Sequence, residues 1–440
     1  MVKGLDNIAR RIEEHLATGA PHGIKGLTDE HIRKGCDPHG IAKLWLHDML
    51  HPQKNQHIEL PESGSYALLP FSQVVFESIQ SDGAEAWTFP ITLRLKASSV
   101  DKNRLHDAVE AALHNHPVFA MHIDDSGMQH YDKAFRTPYL TYEITADGQY
   151  AYLKMTFNRI LGDATSLMLL LSEIDKAYHN EPLEHDGYLE YLAKAKEHSA
   201  SAEHISHKKE LHERLDNICC PTYPQPDNEA ALADSTMAVL YDDYSADQER
   251  IVQFCKQHKV SLNILFSHAT ALALMDYNRS DEAALTWAYI GRETADEQHI
   301  FGSLHRDVPL HVRRLTNLHA LQALEQTRSN MEKGIMLSDY PYTFHAANRQ
   351  MWKNAVNVLV QPSITDMLEQ CRLPFEYVQE ENAKPQPAYC MLDIEVTDNP
   401  LFIALKYSAA HYEEKSIQRF AAMIHRMIEA IVRGKEVFTI

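Results

Sequence analysis

The sequence has 440 residues, which is enough for two or three domains of ordinary size. An apolar share of 44% and a charged share of 23% are typical of a globular protein with a large core. The formal charge is 42 minus 61, or −19, and the chain has no run rich in Lys or Arg. This composition argues against nucleic acid and anionic membranes as partners.

The N-terminus and the cysteine pattern predict a cytoplasmic protein. The opening stretch "MVKGLDNIARRIEEHL" carries charges where a signal peptide needs an apolar segment. The longest purely apolar run, "LMLLL", is far shorter than the ~20 residues that span a bilayer. The cysteines form no Cys-x-x-Cys pair, so we expect reduced thiols at Cys36, Cys219, Cys220, Cys255, Cys371 and Cys390.

Residues 1–62 predict a helical N-terminal extension that is separate from the rest of the chain. In "LDNIARRIEEHLATG" the apolar residues recur on one helical face, and Gly19 ends the pattern. Shorter helices are expected at "TDEHIRKG" and "IAKLWLHDML". The polar stretch "HPQKNQHIELPESGS" contains two prolines and is typical of a linker, which places a boundary near residue 63.

Strands and helices alternate beyond this boundary. The first half predicts a strand over 86–97, a helix over 99–117, a hairpin around Asp147-Gly148, a helix over 164–178 and a charged helical stretch over 188–216. The proline-rich stretch over 219–232 is expected to link the two halves. The second half predicts helices over 245–258, 261–278 and 316–333, a strand over 284–291, three later strands and a closing helix from about residue 413.

The two halves have comparable size and a matching order of elements. This order predicts a two-lobed α/β (α+β) molecule with lobes over 63–222 and 223–440 and a cleft between them. The stretch "TFNRILGDATSLMLLLSEI" runs from a strand through a turn into a very apolar helix, with Asp163 at the turn. From the residues alone, Asp163 is compatible with a simple helix cap.

A series of motifs resembles those of the condensation domains of nonribosomal peptide synthetases, in the same order. Their wider superfamily is that of the chloramphenicol-acetyltransferase-like acyltransferases. The central stretch over 158–174 resembles His-His-x-x-x-Asp-Gly-x-Ser-x-x-x-Leu-x-x-Glu-Leu. The flanking motifs are "YALLPFSQVVFE" (66–77), "NHPVFAMHI" with His116 (115–123), "YIGRE" (289–293), "FGSLHRDVPLHV" (301–312) and "LSDYPYTF" (337–344).

The resemblance implies two chloramphenicol-acetyltransferase-like lobes in a V arrangement, with a tunnel at their junction. It also implies acyl substrates that arrive as thioesters of carrier-bound phosphopantetheine or of coenzyme A. In the family, the second His of the motif deprotonates or positions the acceptor, and the Asp pairs with an Arg. Carried over, Asn158 and Arg159 hold the two His positions, Asp163 matches the Asp, and Arg292 is its expected ion-pair partner.

The catalytic His of the motif is therefore replaced by Arg159, which cannot accept a proton at neutral pH. Ala164 replaces the motif Gly, which tightens the turn and disfavours a positive φ. The degenerate motif predicts a protein that binds acyl or peptidyl thioesters with weak or no His-type condensation. We expect an acyl or peptidyl carrier protein as partner, and a recruited enzyme is a further possible partner.

The opposing hypothesis is an active acyltransferase that moves an acyl group to an amine or alcohol. Positioning alone can suffice for a reactive thioester, or another histidine can serve as base. His305 lies in the segment expected near the tunnel, and Ala164 and Ser166 are further candidates for the tunnel lining.

The 27 histidines raise the question of a metal site. His204 and His207 share a helical face in "EHISHKKELH", but the sequence shows no third ligand. We therefore expect no metal and no bound cofactor. Cys219 and Cys220 have no paired base in view and are expected to be buried or idle thiols.

Overall fold

The computed structural model describes residues 63–314, 319–378 and 386–434, together with the isolated positions 12, 13 and 42. The chain divides into two compact units. The larger comprises Ser63–Gly291 and Phe301–Ile440, and the smaller takes Arg292–Ile300 from the continuously described residues. Apart from the isolated positions, the helical extension predicted over residues 1–62 lies outside the described part of the chain.

Helices and strands alternate along the larger unit, as the sequence predicts. The helices are α1 (Pro70–Asp82), α2 (Lys102–Asn115), α3 (Ala164–Tyr178), α4 (Tyr188–Ser199), α5 (Ala202–Leu215), α6 (Gln248–His258), α7 (Leu262–Asn278), α8 (Ala320–Leu337), α9 (Tyr342–His345), α10 (Arg349–Lys353), α11 (Ile364–Leu368) and α12 (Glu414–Val432). The strands are β1 (Ser63–Ala67), β2 (Thr88–Lys96), β3 (Met121–Ile123), β4 (Met128–Asp132), β5 (Leu140–Ala146), β6 (Tyr150–Asn158), β7 (Met237–Asp243), β8 (Glu282–Tyr289), β9 (Arg306–Arg313), β10 (Asn357–Gln361), β11 (Glu376–Tyr377), β12 (Leu392–Asp398) and β13 (Leu401–Ser408).

The described strands form three sheets. The first half of the chain builds an antiparallel sheet in the order β1-β4-β3 and most of a second sheet in the order β11-β2-β6-β5. The second half builds a six-stranded sheet in the order β7-β13-β12-β10-β8-β9, in which β10 runs parallel to β8 and β12. Strand β11 belongs to the second half of the sequence but pairs with β2, with Glu376 opposite Arg94. The two halves therefore share a sheet.

The six-stranded sheet has one apolar and one polar face. Side chains alternate between the faces of a strand, and Leu392, Ile394 and Val396 of β12 point into the core with the helices α7 and α12. The alternate residues, including Asp393, lie on the opposite face. Asp393 is opposite Asn357 of β10, which is opposite Thr286 of β8. A row of polar side chains thus crosses neighbouring strands on the face away from the helices.

Most predicted elements of the first half are confirmed with shorter bounds. Asp101 caps α2 by accepting hydrogen bonds from the backbone N–H groups of Asn103 (2.9 Å) and Arg104 (3.0 Å). Strands β5 and β6 form the hairpin predicted at Asp147-Gly148, where Gly148 has a φ of 91°. The continuous helical stretch predicted over 188–216 is two helices, because the hydroxyl of Ser201 caps a new helix by accepting from the N–H of His204.

No helix among the described residues combines the length and the apolar character needed to cross a bilayer.

Candidate functional site

The central motif connects β6 to α3 through a short buried turn. Asn158 ends β6, and Asp163 is the residue before the first turn of α3. Arg159 donates its backbone N–H to Trp87 O (2.9 Å), and Ile160 and Leu161 are buried. The turn is therefore anchored to the start of β2 before the helix begins.

Asn158 is occupied by structural hydrogen bonds. It is 2% exposed, and its amide nitrogen donates to Ala84 O (3.2 Å) and to Thr88 Oγ1 (2.9 Å). Its amide oxygen accepts from the N–H of Ile160 at 3.0 Å. The residue in the first His position of the motif thus ties the turn to the segment before β2, and an amide cannot exchange a proton at neutral pH.

Asp163 joins the start of α3 to a segment that is far away in sequence. One carboxylate oxygen accepts from the N–H of Ser166 at 2.9 Å, which makes Asp163 the N-cap of the helix. The other oxygen accepts from the N–H groups of Leu304 (3.1 Å) and His305 (3.2 Å). Asp163 therefore caps α3 and also binds backbone N–H groups of the segment before β9.

Ser166 strengthens the same junction. Its side chain is fully buried, and its hydroxyl oxygen lies 2.8 Å from Gly302 O and accepts from Gly302 N at 3.1 Å. Gly162 lies against the same segment, because a Cβ there would come within 2.8 Å of the Phe301 ring. Ser166 thus acts as a buried contact between α3 and the residues that precede β9.

Ala164 is the exposed first residue of α3. It is not among the residues with a positive φ. The replacement of the motif glycine by alanine therefore meets no backbone conflict, and the predicted tightening of the turn has no structural cause at this position.

Four aromatic rings surround the guanidinium of Arg159, the residue that the motif resemblance aligns with the second His. The guanidinium carbon lies 5.2 Å from the ring centre of Phe89, 5.9 Å from those of Phe71 and Tyr389, and 6.0 Å from that of Trp87. Within the described part of the chain, this guanidinium forms no hydrogen bond or ion pair. Cation–π contacts hold the charge in place and leave its five N–H donors available.

Two buried carboxylates from the polar face of the six-stranded sheet lie in the field of Arg159. Burial raises the pKa of Asp307 to about 6, and the positive charge of Arg159 opposes this rise. Burial also raises the pKa of Asp393, again against Arg159, and the Tyr389 hydroxyl donates to Asp393 at 3.1 Å. In each carboxylate the Oδ1 atom accepts no hydrogen bond from the described residues.

His305 lies beside both Asp163 and the aromatic rings around Arg159. Its Nδ1 is 3.9 Å from Asp163 Oδ2, and its ring centre is 3.7 Å from that of Phe71. The side chain is 12% exposed. The structure therefore brings His305 together with the motif residues, as the sequence analysis expects.

Arg292 belongs to the smaller compact unit, where it is buried and donates from Nη2 to Ile300 O at 3.1 Å. The ion pair of Arg292 with Asp163, and the placement of Ala164, Ser166 and His305 along a tunnel, stay predictions.

The flanking motif histidine, His116, has a buried structural role. Its Nδ1 lies 2.6 Å from Asp186 and its Nε2 lies 3.1 Å from Glu173, which is the Glu of the central motif. Burial lowers the pKa of His116, but its interactions with the carboxylates of Asp186 and Glu173 outweigh burial and raise the pKa to about 9. Two of the resembling motifs thus meet in one buried ionic cluster.

The cysteines of the described residues form no disulfide: Cys219, Cys220, Cys255, Cys371 and Cys390 are free. Burial raises the pKa of Cys220 to about 12, so that its thiol stays protonated at neutral pH. Cys219 is exposed, and both thiols are free.

The condensation domain family matches residues 141–438, which is more than half of the chain. The chain belongs to the condensation domain family. This membership confirms the resemblance to nonribosomal peptide synthetase condensation domains. A comparison with curated protein sequences found no match.

Solved structures with the same fold include three domains of low sequence identity. The X-domain from teicoplanin biosynthesis is 13% identical, with a TM-score of 0.68 over 88% of this chain and 100% of that one. The epimerization domain from the third module of tyrocidine synthetase B is 15% identical, with a TM-score of 0.68 over 87% and 98%. A mutant starter condensation domain of rhizomide synthetase, in complex with C8-CoA, is 13% identical, with a TM-score of 0.64 over 84% and 94%.

These likenesses establish the fold. The predicted α/β class with two chloramphenicol-acetyltransferase-like lobes is confirmed. The sequence analysis found Asn158, Arg159 and Asp163 but missed the aromatic rings and the two buried carboxylates. The sequence does contain a signal for these carboxylates. Each is an acidic residue at an alternate position of an apolar strand, Asp307 in "RDVPLHV" and Asp393 in "LDIEVTD".

Proposed function

We propose that this condensation-family protein binds acyl or peptidyl groups as thioesters of carrier-bound phosphopantetheine or of coenzyme A. We further propose that His-type condensation at its central motif is weak or lost. The observation that carries this proposal is the guanidinium of Arg159 among four aromatic rings, because the motif resemblance aligns this residue with the family base. No cofactor is needed beyond the thioester substrate itself.

The chemistry of guanidinium supports binding rather than base catalysis. It stays protonated at any working pH and offers donors without an acceptor, so it cannot remove a proton from an amine or alcohol. Its unpaired N–H groups suit a thioester carbonyl, a carboxylate or a phosphate oxygen. Aromatic side chains around the guanidinium lower the local dielectric, which strengthens such a hydrogen bond.

Two solved relatives support the choice of partners. A starter condensation domain was solved with C8-CoA, and the X-domain from teicoplanin biosynthesis was solved in complex with OxyB. We propose a carrier protein as the partner that delivers the acyl group, and a recruited enzyme as a second possible partner. The absence of disulfides among the described cysteines supports our proposal of a cytoplasmic location.

The second candidate function is an active acyltransferase that transfers the acyl group to an amine or alcohol. Asp307 favours it, because this buried carboxylate lies in the field of Arg159 and its pKa is raised to about 6. A carboxylate with such a pKa is ionised at pH 7 and basic enough to accept a proton from an acceptor group. His305, beside Asp163, is the other available base.

A single-turnover assay separates these functions. Purified carrier proteins, and separately coenzyme A, are loaded with a panel of acyl groups and offered small amines and alcohols. Wild type is compared with Arg159→His, Asp163→Ala and Asp307→Asn. Arg104→His is the matched control, because Arg104 also lies over an aromatic ring, that of Tyr178, at 4.7 Å.

The leading proposal expects thioester binding without transfer by wild type, and transfer by Arg159→His but not by Arg104→His. Transfer by wild type that is lost in Asp163→Ala would show that the motif still works and would overturn the leading proposal. Transfer that is lost in Asp307→Asn, with an unchanged circular dichroism spectrum, would establish the second function with a carboxylate base.

A further inference from the structure

Three histidine nitrogens converge on one carboxylate oxygen outside the central motif. Asp339 Oδ2 lies 2.5 Å from His198 Nε2, 3.2 Å from His204 Nδ1 and 3.3 Å from His207 Nδ1. His198 belongs to α4, His204 and His207 belong to α5, and Asp339 follows α8. The cluster therefore gathers three elements, and Asp339 is more than 130 residues from each histidine.

The break between α4 and α5 creates this arrangement. Ser201 caps α5, so the last turn of α4 and the first turn of α5 meet, and His198 faces His204 with ring centres 5.6 Å apart. His204 and His207 are three residues apart on one helix and therefore lie on the same face. A continuous helix over this stretch would not bring His198 to the same point.

The spacing fits the ligand shell of a zinc ion. Zinc bonds to nitrogen and oxygen are about 2.0–2.1 Å long, so two ligand atoms of a tetrahedral site lie about 3.3 Å apart. The distance from Asp339 Oδ2 to His204 Nδ1 is of this size, whereas the 2.5 Å distance to His198 Nε2 is that of a short hydrogen bond and would lengthen when a metal binds. The ligand atoms of His198, His204 and Asp339 all lie within 4.8 Å of one another.

The second carboxylate oxygen of Asp339 has no partner among the described residues. Asp339 Oδ1 is buried and accepts no hydrogen bond from them, although three imidazoles crowd Oδ2. A cation bound by this carboxylate would give the second oxygen a partner.

The surroundings also suit a metal. The side chains of His204, His207 and Asp339 are 15–19% exposed, and that of His198 is 40% exposed, which leaves a path from solvent.

We propose that His198, His204 and Asp339 bind one Zn²⁺ ion. The ion ties α4 and α5 to the segment after α8, and so links parts of the chain that are distant in sequence. The sequence analysis expects no metal because only His204 and His207 are evident there. The ligands His198 and Asp339 become visible only in the fold.

Zinc binding by the untagged full chain tests this proposal. The protein is dialysed against EDTA and then against chelator-free buffer, and it is titrated with ZnCl₂ in competition with a fluorescent zinc indicator. We expect one zinc per chain and an increase of several degrees in the Tm at saturating zinc. Co²⁺ in place of Zn²⁺ should give the visible absorption bands of a tetrahedral site.

Variants assign the site. We expect His204→Ala and Asp339→Asn each to weaken zinc binding at least tenfold and to abolish the Co²⁺ bands. His114→Ala should leave both unchanged, because the side chain of His114 is 74% exposed on α2. The wild-type titration does not depend on how well any variant folds. No stoichiometric zinc in wild type, or binding that survives Asp339→Asn and disappears after thiol alkylation, would overturn the proposal.

Discussion

At the scale of single residues, Asp163 carries more contacts than a helix cap requires. Its two oxygens satisfy backbone N–H groups on both sides of the junction, at Ser166 and at Leu304 and His305. One carboxylate therefore caps α3 and also braces it against the segment before β9. Its loss would leave several buried donors without an acceptor.

We expect Asp163→Ala to lower the free energy of unfolding by about 3 kcal/mol, because a cap and two long-range hydrogen bonds are lost together. Asp101→Ala is the matched control, since Asp101 caps α2 through two local N–H groups only. That change should cost about 1 kcal/mol. Urea unfolding measures both, and equal losses would contradict the bracing role of Asp163.

The buried cluster of His116 predicts a pH dependence of stability. The pKa of His116 is raised from 6.5 to about 9 in the folded protein. A raised pKa stabilises the fold below the unfolded value, and this contribution is lost as the pH rises through the folded value. We expect the free energy of unfolding to fall by about 3 kcal/mol between pH 6.5 and 9.5 from this group.

Urea unfolding across this pH range provides the measurement. His116→Gln should remove the slope. His268→Gln is the control, because burial lowers the pKa of His268 to about 4 and keeps its ring neutral throughout the range. A wild-type slope that persists in His116→Gln would mean that other groups cause it.

Residue identity alone predicted part of the site. Asn158, Arg159 and Asp163 follow from local motif spacing, which a sequence displays directly. Asp307 and Asp393 do not, because an acidic residue at an alternate strand position usually lies on a solvated face. Only the packing of other elements over that face buries them.

At the scale of elements, the turn from β6 to α3 depends on close packing at Gly162. A Cβ at this position would lie 2.8 Å from the Phe301 ring and 2.9 Å from the Ser166 Cβ. The motif helix and the segment before β9 therefore approach each other more closely than an alanine permits.

We expect Gly162→Ala to cost about 1–3 kcal/mol of stability, because the neighbouring side chains must shift. Gly187→Ala is the control, since the nearest atom to a Cβ there is Glu190 Oε2 at 4.0 Å. That change should alter stability by less than about 0.5 kcal/mol. Thermal unfolding compares the two, and equal effects would argue against tight packing at Gly162.

Element prediction succeeded where local signals are strong and failed where a signal was overlooked. Asp101 and the Asp147-Gly148 turn marked α2 and the hairpin correctly. The break between α4 and α5 also has a local signal, the capping Ser201, but the helical charge pattern on both sides of it concealed the end of α4.

At the scale of the whole molecule, one strand joins the two halves of the sequence. Strand β11 belongs to the second half but pairs with β2 in a sheet of the first half. The segment before β11 is held by Asp175 of α3, which accepts from Leu373 N at 2.7 Å and from Arg372 Nε at 3.1 Å. After β11, Val378 donates its N–H to Thr92 O at 2.9 Å. The matching order of elements predicted two lobes. The pairing of β11 with β2 could not be predicted, because a strand of two residues has no recognisable sequence pattern.

We expect Asp175→Ala to release this segment from β2. Hydrogen exchange at the amides of Tyr377 and Val378 should become at least tenfold faster, because local opening then requires less free energy. Glu181→Ala is the control, since it removes only the exposed contact with Arg372. Unchanged exchange in Asp175→Ala would mean that the strand pairing holds the segment by itself.

The most direct test of the account is the binding of an S-(2-oxoalkyl) analogue of acyl-coenzyme A, which keeps the carbonyl but cannot transfer it. Isothermal titration compares wild type with Arg159→Met and with the control Arg104→Met. We predict that wild type and Arg104→Met bind the analogue. Arg159→Met should bind it about 10–100-fold more weakly, because one charged hydrogen bond is lost. No binding by wild type, or equal binding by Arg159→Met, would contradict the role assigned to Arg159.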